Sequence, residues 1–127
     1  MLRMAGFEHL LSSYDIADQL DEIASADPPA YLRRCFAEGL SSPELSLARV
    51  QQITVCVMVL DSIVNDRDYP SLEPELIADW RVHHAAHCAP LKETAFAVLK
   101  RALPMLRARD PAAAAELEEL ERNLAHA

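Results

Sequence analysis

Glycine is nearly missing from this sequence: only Gly6 and Gly39 occur in 127 residues. A β-rich chain of that length needs more glycine at its tight turns, so an all-β fold is excluded first. No Gly-rich phosphate loop is present, which removes the common nucleotide-binding designs. The three cysteines, Cys35, Cys56 and Cys88, form no CxxC pair. An odd and sparse set reads as reduced core thiols of a cytoplasmic protein. Met1 to Gly6 lacks a long apolar core and a cleavage site, so no signal peptide is expected there. The longest apolar stretch, Ile53 to Leu60, is too short to span a bilayer, and no membrane association is expected. Positive charge is also scarce. Twelve Lys and Arg face twenty Asp and Glu, a formal net charge of −8. Nucleic acid is therefore not an expected partner, because phosphate recognition wants a basic surface. No ExxH pattern of a di-iron bundle occurs.

What is present favours helix. Alanine, leucine and glutamate are abundant, and 51% of residues are hydrophobic against 25% charged. Proline breaks at Asp27–Pro28–Pro29, Ser41–Ser42–Pro43, Tyr69–Pro70, Ala89–Pro90 and Asp110–Pro111 divide the chain. Proline suits the first turn of a helix, so Ser42 and Asp110 are expected N-caps. The pattern predicts an all-α single domain, residues 1–127, of about six helices, globin-like or an irregular helical bundle.

The first helix is expected over Phe7–Ala24, with a break at Ser12–Ser13. The second spans Pro29–Glu38, with Gly39 as its stop. The third, Pro43–Asn65, carries Val50, Ile53, Val57, Leu60 and Val64 on one stripe. Its β-branched centre could form a strand, but no second strand candidate exists to satisfy its backbone. The fourth spans Leu72–Cys88, the fifth Pro90–Arg107 with a kink at Pro104, and the sixth Pro111–Leu124.

Trp80-Arg-Val-His-His-Ala-Ala-His-Cys88 is the most unusual segment, holding three of the five histidines. At about 100° per residue, His83, His84 and His87 fall within roughly 60° of Trp80, which puts three imidazoles on one apolar helical face. Neutral imidazole ligates iron, zinc and copper. His83 with His87, and His84 with Cys88, have chelating i,i+4 spacing. The same histidines near a helix C-terminus also gain from its dipole with no ligand at all. The cysteines lie among apolar neighbours and read as core thiols rather than nucleophiles.

Across Leu45–Leu103 the chain resembles the single-domain bacterial globins. Gln52 opens the apolar part of the third helix, and His84 follows 32 positions later. Val64–Asn65 ends the long helix, and Leu76 to Trp80 leads into Arg81-Val82-His83-His84. The resemblance implies haem b with His84 as proximal iron ligand and His83 as the register-shifted alternative. His87 and Cys88 are further candidate metal ligands. It implies Gln52 as distal donor, Tyr31 as distal tyrosine, and Cys56, Val57, Leu60, Trp80 and Phe96 as pocket lining. The implied activity is binding or sensing of O2, NO or CO. Haem-free globin-like regulators are the alternative within the same resemblance.

A second expectation is a non-enzymatic regulatory protein acting through homodimerisation or a protein partner. Its apolar inventory is large for its length. Ile16, Ile23, Val55 and Val82 lie off the main stripes and are candidate interface residues.

Overall fold

The computed structural model describes residues 7–126. The expectation for Met1–Gly6 lies outside them. Every regular element among the described residues is helical: α1 (Ile16–Ser25), α2 (Pro28–Ser41), α3 (Leu47–Val64), α4 (Pro74–Cys88), a 3-10 turn (Ala89–Leu91), α5 (Lys92–Arg109) and α6 (Pro111–Ala125).

The chain enters through turns rather than through helix. Phe7 has a φ of 56°, and α1 begins only at Ile16. The reason is a cap: the Asp15 carboxylate accepts the Asp18 N–H and starts the helix there. Leu10 and Leu11 are buried without being helical. The Glu116 carboxylate of α6 holds this lead segment, accepting the backbone N–H groups of His9 and Leu10.

α2 starts under an Asp27 cap with Pro28 and Pro29 in its first turn. It does not stop at Gly39 but runs on to Ser41. Gly39 serves close approach instead. A Cβ there would lie 2.6 Å from Val98 Cγ2 and 2.9 Å from Ile53 Cδ1. Ser42, expected to cap the third helix, closes α2, and α3 is capped by Ser46. The Pro43–Leu45 bend is fixed from outside. The Arg101 guanidinium donates to the carbonyls of Gly39, Ser42 and Pro43.

α3 is the axis of the fold. Val50 and every residue from Ile53 to Ile63 are buried, so the helix is enclosed on all sides rather than along one stripe. By length and composition alone α3 could cross a membrane, the only such helix among the described residues, yet two thirds of it (67%) is buried inside this chain. Its one buried charge, Asp61, sits at the end facing the α3–α4 loop and is fully bonded. Asp61 accepts from Arg67 Nε at 2.8 Å, from Tyr69 Oη at 2.5 Å and from Asn65 Nδ2 at 2.7 Å. Arg67 and Asn65 also donate to the Asn123 carbonyl at the end of α6.

α4 begins at Pro74, two residues later than expected, with proline in its first turn. α5 runs through Pro104, whose ring is exposed, and pairs with α6. Asp110 caps α6 as its sequence predicts, accepting the Ala113 N–H.

Candidate functional site on the fourth helix

α4 packs mainly on α3 and also touches α2, and its buried residues are Ile77, Trp80 and Cys88. By helical spacing His84 falls within their arc, between Trp80 and Ile77, and it is half-buried. His87 and His83 lie beyond its Trp80 margin and are exposed. Only one of the three imidazoles therefore shares the covered face with Trp80. The spacing argument placed them correctly relative to Trp80. It assumed that Trp80 marks the centre of the buried arc, and Trp80 lies at its margin.

The imidazoles line a shallow hollow of about 240 Å³ together with Asp27, Pro29 and Arg33 of the start of α2. That is below the roughly 300–1,000 Å³ of sites that enclose drug-sized ligands. His83 Nδ1 is already engaged, 3.0 Å from the Asp79 carbonyl and 3.2 Å from its carboxylate. Cys88 points into the core, and burial pushes its thiol up to about 11, with the Asp27 charge acting the same way. Cys88 does not line the hollow that holds the imidazoles. No cluster of three or more His, Cys, Asp or Glu fit to hold a metal ion occurs among the described residues.

The residues that the globin resemblance assigns to a pocket are only partly brought together. Tyr31, Gln52 and Cys56 do meet, at the seam of α1, α2 and α3. Gln19 organises that seam, donating to the Gln52 carbonyl at 3.1 Å and to Cys56 Sγ at 3.4 Å, and accepting from the Tyr14 hydroxyl. Tyr31 donates to Glu22 at 3.1 Å, and the Gln52 side chain also reaches its hydroxyl. Burial, reinforced by neighbouring acidic groups, pushes Tyr14 and Tyr31 up to about 12. Burial also holds the Cys56 thiol well above its usual range, and the adjacent Cys35 adds to this. The cluster is a packed seam with its donors and acceptors spent on each other. Sequence spacing did not single out Gln19, although a lone glutamine on an apolar helix face was its signal.

The remaining assigned residues lie elsewhere. Val57 and Leu60 are core residues of α3, and Trp80 is buried under α4. Phe96 is half-buried on α5 and lines a different hollow with Lys100, Glu121 and Arg122. None of the hollows described combines His84 with Gln52, Tyr31 or Phe96. A haem group needs an apolar slot with an imidazole aimed into it. His84 instead faces an open, polar hollow beside the Arg33 guanidinium, so these residues do not fit haem. The chain matches no family model, no curated protein and no solved structure.

The chemistry-bearing side of α4 is its outer one. Glu75, Ala78, Asp79, Val82, His83, Ala86 and His87 are exposed along it. Val82 sits at the middle, 79% exposed. The other residues expected at an interface are not available: Ile23 and Val55 are fully buried, and Ile16 packs against the core. Both were taken off-stripe because α1 and α3 were assigned one buried face each, whereas α3 is enclosed on all sides.

Proposed function

We propose that this chain is a non-enzymatic helical regulatory protein of the cytoplasm that works by protein–protein contact, with the outer face of α4 as its contact surface. The observation that carries the reading is Val82. It is a β-branched apolar side chain left 79% exposed at the centre of a helix whose other large apolar groups are covered. Scattered apolar residues at a surface are ordinary. This one lies in a row with Ala78 and Ala86 and is flanked by ionisable side chains, which is the layout of a small apolar contact with a polar rim.

The interior supports the same reading. The buried Cys56 and Cys88 thiols are held protonated, and the buried carboxylate, Asp61, is consumed by three donors. Nucleophilic or acid–base work needs such groups accessible and poised near neutrality. The test is sedimentation velocity over a range of concentrations, paired with affinity capture from the cells that make the protein, using wild type and Val82→Glu. Self-association or a stoichiometric protein partner, lost in Val82→Glu, is expected. A strictly monomeric chain that recovers no partner overturns the proposal.

A further inference from the structure

We infer that the hollow between the end of α3 and the start of α4 binds a small neutral molecule with an apolar body and one uncharged hydrogen-bonding group, which Ser62 recognises. The site is separate from the outer face of α4, and the inference does not depend on the reading of that face. The hollow measures about 300 Å³, at the lower end of sites that enclose small ligands. Tyr69, Leu72, Pro74 and Ile77 give it mostly apolar walls, and Ser62 lines it with them.

The observation that points to a ligand is the Ser62 hydroxyl. Ser62 is 1% exposed, and its Oγ has no hydrogen-bond partner. A serine or threonine inside a helix can bond back to the carbonyl four residues earlier. Thr54 of the same helix does so, donating to the Val50 carbonyl at 2.7 Å. Ser62 makes no such bond to Met58. A buried hydroxyl left without a partner destabilises the fold, and a bound group that pairs with it offsets that loss. The hydroxyl turns about a single bond, χ1, so it can meet a group placed in the hollow that Ser62 lines.

The other polar side chains of the hollow are already engaged. The Tyr69 hydroxyl donates to Asp61 and accepts from Asn123 Nδ2 at 3.2 Å. Arg67 donates to Asp61 and to the Asn123 carbonyl, and Asp68 accepts from Arg81 at 3.3 Å. Ser62 is thus the group left to recognise a ligand, and it can donate or accept. The charges nearby are Asp61, Asp66 and Asp68 against Arg67 and Arg81, all of them paired. An ionic ligand would find no free partner there to offset its loss of water, so the ligand is neutral.

The experiment titrates isotope-labelled protein with 2-naphthol and reads amide chemical shifts by NMR. Saturable shifts at Ser62, Tyr69, Leu72 and Ile77 are expected, with Kd of about 1 mM or tighter. The charged analogue 2-naphthoate should bind at least tenfold more weakly. Ser62→Ala should weaken 2-naphthol by about fivefold, the share of one hydrogen bond. Ser71→Ala should leave the affinity unchanged, because Ser71 lines the neighbouring hollow instead. Without ligand, Ser62→Ala should unfold at the same or a higher urea concentration than wild type, since it removes an unpartnered group. Absence of saturable shifts at these four residues overturns the site. Equal affinity in wild type and Ser62→Ala, or binding of 2-naphthoate as tight as 2-naphthol, overturns the recognition proposed. A clear loss of stability in ligand-free Ser62→Ala does so too, because the hydroxyl would then have its partner within the fold.

Discussion

Arg67 Nε lies 2.8 Å from Asp61 Oδ2, and Arg67 Nη2 lies 2.6 Å from the Asn123 carbonyl. One guanidinium thus neutralises the only buried carboxylate of α3 and fastens the α3–α4 loop to the end of α6. Breaking a buried pair on one side leaves the other charge without its partner, a loss of about 3–5 kcal/mol. Arg67→Ala should lose about 3 kcal/mol in urea unfolding, and Arg67→Lys should recover only part of it because lysine cannot reach both acceptors in one plane. Asp61→Asn should lose less than Arg67→Ala, since it removes the buried charge together with the pair.

Gly39→Ala should destabilise by about 1–3 kcal/mol, the usual cost of overpacking. The added methyl would press on Val98, which is stiff at χ1, and on the flexible tip of Ile53. Ile53→Val in the same chain removes the softer of the two clashes and should return a fraction of the loss, read as non-additivity in a double-mutant cycle. A Gly39→Ala chain as stable as wild type would show that α2 does not sit this close to α5.

Alkali should unfold the protein between about pH 10 and 12. Tyr14 and Tyr31 are raised from 10.0 to about 12 and Tyr69 is raised further, in each case chiefly by burial. The unfolded chain therefore gives up these protons first. The stability they contribute is complete below pH 10 and disappears as pH rises through the folded-state values. Absorbance at about 295 nm should show tyrosinate appearing together with loss of helical circular dichroism. Ionisation of all three tyrosines near pH 10 with the helices intact would contradict the buried placement.

Addition of haem should give no saturable Soret band that depends on His84. His84 faces Arg33 and solvent rather than an apolar slot. Absorption spectra of haem-titrated wild type and His84→Ala should coincide. A sharp band lost only in His84→Ala would restore the haem reading and displace the proposed one.

The fold was far more legible than the site, for physical reasons visible at particular residues. Proline and capping chemistry is local, so Asp110–Pro111 read correctly from three or four residues, and the Asp27–Pro28–Pro29 break placed the start of α2 to within one residue. Ser42–Pro43 carries the same signature and misleads. Which serine caps α3 is decided by Arg101, some sixty positions away, which holds the intervening carbonyls in a bend. The centrality of α3 was not legible either, since enclosure on all sides leaves no periodic stripe to find. For α4, spacing fixed which residues share a face. Which face turns inward was set by the fit of Ile77, Trp80 and Cys88 against the neighbouring helices, a tertiary fact with no local signal.

The link between the α3–α4 loop and α6 bears on how the chain is made. Asn65 and Arg67 find their acceptors 56 to 59 positions later. During synthesis, the Asp61 end of α3 must therefore wait for α4, α5 and α6 to leave the ribosome before its arrangement is complete. Until then this apolar helix lacks the part of its cover that the later helices supply. The nascent chain is most exposed to misassembly while its most hydrophobic helix is already made and its last helix is not.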